Sequence, residues 1–403
     1  MPQNVLLLAP PNPFLSEPYF TPKMGLLYLG TILKENGHNV TLRHLASLAD
    51  MEALLKANDY DFIGISATTR EYPDAIQMLN YIKRIGSNAI VAIGGPHATA
   101  MSNECKTNGF DVVAVGETDY EILSIVSRLW GAVYTAIISI PDLDILPSPD
   151  RSLLVEDFRP FLYTGQSDGM RVTTMLLSRG CPYRCAFCGP HGPYRRRSQA
   201  NIAGELAMLK ESGYDGIVIM DDLPFATEQH VDEFCEVIRP LNMSFRCNLR
   251  PDMVTDKIAF LLLQAGCKQV QLGIESASDR VLDMVGKGMN PETNGEAVRM
   301  LQGYLINVKA LFMWGLPGDG PETAEAIVKW VEQYKPDSVQ ITTFVPLPGS
   351  PLWESNCRRV TDYNALNFYD NDGENVCGIG NDRLSTEELS AMKREILNQI
   401  IGD

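Results

Sequence analysis

Three of the chain's nine cysteines lie within one short stretch, Ser178 to Gly189. Three residues separate Cys181 from Cys185, and two separate Cys185 from Cys188, so one loop can fold its three thiolates around a single metal centre. Iron–sulfur clusters are usual occupants of such soft-ligand loops. A [4Fe–4S] cube has four irons, so three local cysteines leave one iron open to a ligand from outside the protein. The spacing predicts such a cluster.

Zinc is the alternative occupant of this loop. Structural zinc sites are normally closed by four ligands, often supplied as two pairs of cysteines. The sequence has no second pair, although His191 could be a fourth ligand. The remaining cysteines show no ligand spacing, and most are expected to be buried small hydrophobic residues.

Composition narrows the class of protein. The chain has 403 residues, of which 45% are hydrophobic and 21% charged, which predicts a soluble globular protein of two domains. A formal net charge of −16 argues against a nucleic-acid surface. The apolar runs are too short to span a membrane, and the N-terminus shows neither a basic leader nor a cleavage site. Together with nine cysteines and no sign of secretion, this predicts a cytoplasmic protein with reduced thiols.

One basic cluster stands out from this acidic background, Arg195–Arg197. It is too small to suggest a nucleic-acid partner. It could hold a substrate carboxylate or phosphate, and it could equally be a solvated turn after the cysteine loop. The acidic composition favours a small-molecule or peptide substrate over tRNA.

Residues 1–140 alternate between short apolar runs and helical segments, which predicts a doubly wound, Rossmann-like parallel sheet. Ligands of such sheets bind at the carboxyl ends of the strands. Here those ends are rich in Gly, Pro, Ser and Thr, which let a large flat ligand approach the backbone and form hydrogen bonds at its edge. The candidate residues are Pro11, Ser66, Thr68, Gly94, Gly95, His97, Thr99, Gly116 and Glu117.

A second α/β domain is expected after a proline-bearing linker, residues 141–170. Residues 171–352 show strand and helix units that repeat at about thirty residues, and six strands with five crossovers predict a partial (β/α)6 TIM-like barrel. Residues 353–403 form an extension that ends in a helix from Thr386 to Ile401, with Ser385 as its N-cap. In such barrels the chemistry lies at the carboxyl ends of the strands.

With Phe187 directly before its last cysteine, the cysteine loop resembles the signature of the radical S-adenosylmethionine (SAM) superfamily. Three later segments resemble the branch that contains cobalamin-dependent enzymes, methylthiotransferases and the elongator-type catalytic subunit. These segments are Gly273–Ser276, Gly315–Gly318 and Pro346–Leu352. The resemblance covers residues 171 to about 352.

The resemblance implies a [4Fe–4S] cluster held by the three cysteines, with SAM bound at the open iron. Asp221 or Asp222 would then meet the SAM amino group. The rest of the implied SAM site consists of Phe187, Asn248, Arg250, Glu275, Ser276 and Gly315, the last making room for adenine. Carboxylates suit an ammonium group and ribose hydroxyls, and arginine suits a carboxylate. Asp319–Thr323 departs from the family pattern by an insertion.

The first domain resembles the cobalamin-binding domain that precedes the radical SAM domain in a large subfamily. The matching segments are Pro22–Leu29, Gly37–Val40, Gly94–Thr99 and Gly116–Glu117. The resemblance implies that cobalamin binds at the strand ends given above.

Two features depart from the cobalamin-binding pattern. The motif Asp-x-His-x-x-Gly is absent, and Arg43-His44 ends the second strand where an acidic residue is usual. His97 is the histidine best placed to be a ligand, but it could instead fix the Gly-Gly turn. The alternative is a Rossmann-like domain that is vestigial or binds substrate.

The implied function is that of an enzyme that cleaves SAM reductively to a 5′-deoxyadenosyl radical. It would modify an unactivated carbon of a small-molecule or peptide natural product, most simply by methyl transfer involving cobalamin, and would need an electron donor such as flavodoxin or ferredoxin. One alternative is a radical SAM rearrangement, cyclisation or coupling enzyme that does not use cobalamin. A non-catalytic SAM or cluster-binding sensor is disfavoured, because the strand ends carry a complete set of polar residues.

Overall fold

The computed structural model describes residues 2–12, 19–127, 134–135, 139–163, 169–189, 192–354, 363 and 380–401. The chain divides into two compact units, Met1–Arg159 and Pro160–Asp403, called here the first and second unit. The residues expected to form the linker, 141–170, are thus shared between the two units.

The first unit is built on a parallel sheet whose described strands have the order β2-β1-β3-β4-β5-β6. Strand β1 lies inside the sheet, where Val5 is paired with Val40 on one side and Phe62 on the other. This position explains its continuous apolar run, since such a strand is buried on both faces. The elements of the first unit are β1 (Asn4–Ala9), α1 (Met24–Glu35), β2 (Asn39–His44), α2 (Leu48–Ala57), β3 (Phe62–Ser66), α3 (Tyr72–Arg84), β4 (Ile90–Gly94), α4 (Pro96–Ala100), α5 (Ser102–Thr107), β5 (Val112–Val115), α6 (Ile122–Val126) and β6 (Tyr134–Thr135).

The second unit contains a parallel sheet with the order β7-β10-β11-β12-β13-β14, so neighbours in this sheet follow chain order. This is the expected partial (β/α) barrel. Its elements are β7 (Val172–Met175), β8 (Ser178–Arg179), β9 (Arg195–Arg196), α7 (Gln199–Glu211), β10 (Gly216–Ile219), α8 (Glu228–Ile238), β11 (Ser244–Leu249), α9 (Asp256–Gln264), β12 (Cys267–Glu275), α10 (Asp279–Met284), α11 (Pro291–Gly303), β13 (Asn307–Trp314), α12 (Pro321–Tyr334), β14 (Ser338–Thr343), α13 (Pro351–Glu354) and α14 (Thr386–Ile401).

The strands of the second sheet have one face covered by helices. In β13, Val308, Ala310, Phe312 and Trp314 are buried in a core shared with helices α7, α8, α9, α11, α12 and α14. Because side chains alternate along a strand, the intervening residues of β13 lie on the opposite face, which we call the inner face. Those intervening residues are half-buried.

The sequence did not predict several short elements. Strands β8 and β9 form a small antiparallel pair on either side of the cysteine loop, with Ser178 opposite Arg196. The terminal helix α14 is present as expected, and Glu388 N donates to Ser385 Oγ at its start. In the described part of the chain, no helix has the length and apolar character that crossing a membrane requires.

Candidate active site at the strand ends

The cysteine loop lies on an apolar floor. Cys185 and Phe187 are each 8% exposed and pack against residues after three different strands: Val281, Val285, Leu316 and Phe344. Ala186 N donates to Val285 O at 2.8 Å, and Leu352 N donates to Ala186 O at 3.0 Å, which ties the loop to two other segments. A group held by these thiols would be shielded from water on this side.

Asp221 holds the start of the loop in place. Its carboxylate accepts hydrogen bonds from Leu177 N at 3.0 Å and from Ser178 N, and the Ser178 hydroxyl lies 2.6 Å from Oδ1. Asp221 is 3% exposed, and burial raises its pKa to about 6. The carboxylate is therefore engaged by the chain itself three residues before Cys181. Asp222, which is exposed, remains the better candidate for the SAM amino group.

Arg250 contacts the cysteine loop through Tyr183. The guanidinium carbon lies 3.5 Å from the centroid of the Tyr183 ring, a cation–π contact. Its nitrogens donate to both carboxylate oxygens of Asp252, at 3.1 and 2.9 Å, and to Lys287 O at 3.2 Å. Arg250 thus already bridges the loop and the segment after β12, and a SAM carboxylate would share it with Asp252.

Glu275 forms a nearly buried ion pair with Lys287. Lys287 Nζ lies 2.8 Å from Glu275 Oε1, and the side chains are 7% and 14% exposed. Glu275 has a φ of 64°, in the left-handed region that glutamate rarely adopts. A side chain at Gly273 would meet Glu275 Oε1 at 2.7 Å and Lys287 Nζ at 3.1 Å, so the glycine leaves room for this ion pair. Strain of this kind persists where the surrounding structure enforces it, often at functional sites.

The charged residues at the strand ends also act on the thiols of the loop. Burial raises the pKa of Cys185, while the charges of Lys287 and Arg250 lower it. Burial raises the pKa of Cys188 to about 12, and Cys185, Glu275 and Asp222 add to that rise. The structure therefore brings together the cysteine loop and the residues that follow β10, β11 and β12.

The donor set fits the expected cluster. It offers soft thiols from one loop, an apolar floor and neighbouring cations that favour thiolates. Among the described side chains, no three or more His, Cys, Asp or Glu residues are close enough to hold a single metal ion. In a [4Fe–4S] cube each cysteine binds a different iron. His191, the alternative fourth ligand for zinc, lies outside the described residues.

Three other predicted SAM residues make contacts within the protein. Asn248 Nδ2 lies 3.4 Å from Asp221 O, and Ser276, which is 1% exposed, accepts from Ser278 N at 3.2 Å. Gly315 has a φ of 96°, and a side chain there would meet Leu389 of α14 at 3.3 Å. The packing of α14 thus explains this glycine, and its adenine contact stays a prediction from the resemblance.

Asp319 repeats, after β13, what Asp221 does after β10. Its Oδ2 accepts from Gly315 N at 3.0 Å and from Leu316 N at 2.9 Å. Asp319 is 1% exposed, and burial raises its pKa to about 6. Two buried carboxylates therefore fix two of the loops that surround the site.

At the strand ends of the first unit, small residues lie close to one another. Gly95 has a φ of 91°, and a side chain there would lie 2.8 Å from Ser66 Oγ. Thr99 Oγ1 donates to Gly95 O at 2.9 Å and accepts from Gly116 N at 3.1 Å. These contacts join the ends of β3, β4 and β5 into one edge of half-buried small residues. Such an edge suits close approach of a large ligand.

The other predicted residues of this edge differ in burial and in contacts. Thr68 and Gly94 are half-buried, and Pro11 is buried at the end of β1. Glu117 Oε2 accepts from Ile140 N at 2.7 Å, so its carboxylate secures the segment after β6.

His97 is packed inside the first unit. It is 0% exposed, and its ring stacks on Tyr72 with a centroid distance of 3.8 Å. Nδ1 lies 3.3 Å from Thr69 Oγ1, and burial lowers the pKa of His97 to about 4, so the ring is neutral. The His97 side chain thus contacts Tyr72 and Thr69, and both its cobalt-ligand role and its role in the Gly-Gly turn stay predictions.

His44 occupies the strand end where an acidic residue is usual. Its Nε2 accepts from Lys23 N at 2.8 Å, and its Nδ1 lies 3.9 Å from Glu156 Oε2. Burial lowers the pKa of His44 to about 3. Beside it is a cavity of about 370 Å³ that Tyr19, Arg43 and Asp50 help to line. This end of β2 therefore differs in charge from the pattern that it resembles.

The basic cluster after the loop has its own partners. Arg196 pairs with Glu233, and Arg197, which is 5% exposed, pairs with Glu205. Arg197 is therefore neither a solvated turn residue nor available to a substrate anion. Three further residues contact the site but are not among the predicted SAM residues: Tyr183, Asp252 and Lys287.

Two family models match the chain. The model of the radical SAM superfamily matches residues 175–331, and that of the B12 binding domain matches residues 15–125. An uncharacterized methyltransferase of Pyrococcus horikoshii is 28% identical, over 83% of this chain and 78% of that protein. The anaerobic magnesium-protoporphyrin IX monomethyl ester cyclase of Rubrivivax gelatinosus is 27% identical over 76% of this chain, which spans 61% of that relative.

A solved structure has the same fold across both units. It is the radical SAM methyltransferase TsrM of Kitasatospora setae, with cobalamin and a [4Fe–4S] cluster bound. The TM-score is 0.65 at 18% identity, covering 87% of this chain and 77% of that one. Each matched model covers most of the strands of one of the two sheets described above. The chain therefore contains a B12-binding domain, matched over residues 15–125, followed by a radical SAM domain, matched over residues 175–331.

Proposed function

We propose that this protein is a cobalamin-dependent radical SAM enzyme that transfers a methyl group to an unactivated carbon of a small-molecule or peptide natural product. When bound, a [4Fe–4S] cluster supplies the electron that cleaves SAM, and cobalamin supplies the methyl group. The electron would come from a donor such as flavodoxin or ferredoxin. Methyltransferases among the relatives and structural neighbours support methyl transfer.

The observation that carries this proposal is the meeting of the cysteine loop with the charged strand ends. Tyr183 of the loop stacks on Arg250, and the charges of Lys287 and Arg250 act on Cys185. A zwitterionic amino acid such as SAM needs both signs of charge next to the open iron. Asp222, Arg250 and Glu275 provide them at one edge of the sheet.

The chain's own residues would bind, orient and exclude water. Cys181, Cys185 and Cys188 would hold the cluster, while the apolar floor under Phe187 would keep water away from it. Arg250 would bind the SAM carboxylate, and Asp222 its ammonium group. The strand ends of the first unit would hold cobalamin through Ser66, Thr68, Gly94, Gly95, Thr99, Gly116 and Glu117.

Anaerobic reconstitution with iron, sulfide and cobalamin tests the proposal. The purified protein should retain iron and cobalamin, and on reduction with dithionite it should convert SAM to 5′-deoxyadenosine. Substituting Cys185→Ala should abolish that conversion. Cobalamin lost on gel filtration would refute cobalamin binding, and no SAM cleavage by iron-loaded protein would refute the enzyme proposal.

A second candidate is a cyclisation or rearrangement by the same radical without methyl transfer. The relative from Rubrivivax gelatinosus is named a cyclase, which supports this candidate. Mass spectrometry of extracts treated with enzyme and methyl-deuterated SAM separates the two. A product that carries the labelled methyl group supports methyl transfer, and a product without it supports cyclisation.

A further inference from the structure

The inner face of the second sheet carries polar side chains in three neighbouring strands, β12, β13 and β14. Gln271 of β12 is paired in register with Lys309 of β13, and Gln340 of β14 is paired with Leu311. Gln271, Lys309 and Gln340 are all half-buried. Neighbouring residues on the opposite face are buried beneath the helices. The inner face is therefore open to solvent, whereas the outer face is closed.

Lys309 differs from the other cations near the site. Lys287, Arg250 and Arg197 each pair with a carboxylate, those of Glu275, Asp252 and Glu205. Lys309 Nζ makes neither a hydrogen bond nor an ion pair with any residue that the structure describes. The charge that acts on it is that of Arg246, on β11, which has the same sign.

This isolation is costly for a partly buried ammonium group. Burial and the Arg246 charge lower the pKa of Lys309, so its charged form is disfavoured when no anion is bound beside it. An anion bound beside Lys309 would pair with its ammonium group, since buried charges are normally paired. Gln271 lies beside Lys309 in register and has an amide that can donate to the same anion. The position is thus complementary to a carboxylate or phosphate.

An apolar path leads from this position towards the cysteine loop. Leu311 and Met313 follow Lys309 on the inner face, and Met313 packs against the apolar floor that contains Cys185 and Phe187. Four residues along a strand correspond to about 13 Å. A ligand with an acidic end at Lys309 could reach the cysteine loop with its other end.

We propose that the inner face binds the acidic end of the substrate, with Lys309 and Gln271 holding a carboxylate or phosphate and the rest of the molecule lying along Leu311 and Met313. This rests on the proposed function, which places the reacting carbon of the substrate near the cysteine loop. The substrate class is then an acid whose reacting carbon is about 13 Å from its anionic group.

Binding of simple amphiphiles to cluster-reconstituted protein tests this inference. Decanoate carries a carboxylate and decyl phosphate carries a phosphate, each on the same ten-carbon chain. The neutral control is 1-decanol, which has that chain without an anion. Calorimetry should show that at least one anion binds about tenfold or more tightly than 1-decanol, as expected for a charge-assisted hydrogen bond. The stronger of the two identifies the anionic group.

The variants assign the effect to Lys309. Lys309→Met should weaken anion binding about tenfold or more and leave 1-decanol binding unchanged, while Lys309→Arg should retain most of the affinity. Lys329→Met removes an exposed lysine that pairs with Glu325 on α12 and should behave as wild type. Gln271→Leu should give a smaller loss than Lys309→Met.

Several results would overturn the inference. Equal binding of anions and 1-decanol, no anion binding, or unchanged anion binding in Lys309→Met would each do so. Weaker SAM binding in Lys309→Met with intact decanoate binding would assign this lysine to SAM instead. These measurements use no reductant, so failed SAM cleavage together with intact anion binding would count against the proposed function alone.

Discussion

The two sheets place opposite kinds of chemistry at the same topological position. At the strand ends of the first unit, half-buried Ser66, Gly95 and Thr99 form a neutral edge, and the nearby His97 is uncharged. The ion pair of Lys23 with Glu71 flanks this edge, where Lys23 Nζ donates to Ser66 O at 3.1 Å. The second unit places Asp222, Arg250 and an ion pair of Glu275 with Lys287 around its cysteine loop. Parallel sheets bind ligands at these ends in both cases. The difference lies in the side chains nearest the expected ligand. Small uncharged residues suit a large ligand held by its edges in the first unit, and charged residues around the cysteine loop suit a zwitterion in the second.

The largest effect should follow from removing a cluster ligand. Cys185→Ala removes one of three thiols, so we expect loss of iron–sulfur absorption and of 5′-deoxyadenosine formation, with cobalamin retained by the first unit. Cys235→Ala is the matched control, because Cys235 is buried in the core beneath the helices. It should keep its iron and lose only about 1 kcal/mol of stability. Equal iron content in both variants would contradict the assignment of the loop.

Asp221→Ala should have the next largest effect. It leaves two buried backbone N–H groups of Leu177 and Ser178 without their acceptor, which should cost about 3 kcal/mol in the free energy of unfolding. Since those residues precede Cys181, iron content per chain should also fall. Asp319→Ala removes the same kind of contact from Gly315 and Leu316 and should destabilise similarly but retain iron. Urea unfolding measures the loss of stability, and iron analysis measures cluster binding. Equal iron loss in Asp221→Ala and Asp319→Ala would show that Asp221 has no special role in holding the cysteine loop.

Gly95→Ala tests the neutral edge of the first unit. The added methyl group would meet Ser66 Oγ at 2.8 Å, in a backbone conformation with φ of 91°. We expect a loss of about 2 kcal/mol in stability and weaker cobalamin retention, with iron content unchanged. Gly37 has a φ of 83°, but an added methyl group there would have no atom within 4 Å. The control Gly37→Ala should therefore lose about 1 kcal/mol of stability and leave cobalamin binding intact. Cobalamin retention equal in the two variants would exclude Gly95 from the site.

Acidification should change the stability of the two units in opposite directions through His97 and Asp221. In the folded state the pKa of His97 is about 4, below its ordinary 6.5, so the unfolded chain binds more protons and stability falls as the pH drops below 6.5. At pH 5 this loss is about 2 kcal/mol. The pKa of Asp221 is about 6, above its ordinary 3.8, so the folded state binds the proton first. Stability gains about 1 kcal/mol between pH 7 and 5.

Hydrogen exchange on apo protein at pH 7 and 5, corrected for intrinsic exchange rates, can measure both changes. Peptides from β1 should lose protection at pH 5, and peptides from β7 should gain it. His97→Gln should reduce the first change and Asp221→Asn the second. Parallel changes in both units would show that other groups control their acid response.

Much of the fold could be predicted from the sequence because its patterns are local. The alternation of apolar runs with helical segments predicted both parallel sheets, and the predicted terminal helix from Thr386 to Ile401 has the bounds of α14. The antiparallel pair β8 and β9 was missed, because each strand has only two residues and lies beside a loop. The brief helix α10 likewise carries too few residues for a periodic signal.

The sequence by itself determined the cysteine spacing, the order of strands and helices and the polar residues at the strand ends. Only the tertiary structure decided which of those residues are buried, which are paired and which are exposed. Asp221 and Asp222 are adjacent in the chain, yet one is buried against Leu177 and Ser178 and the other is exposed. Lys287 and Lys309 are both lysines of the second unit, but Lys287 pairs with Glu275, whereas burial and the like charge of Arg246 lower the pKa of Lys309. Partners brought together from distant strands set charge and burial, so local sequence carries little information about them.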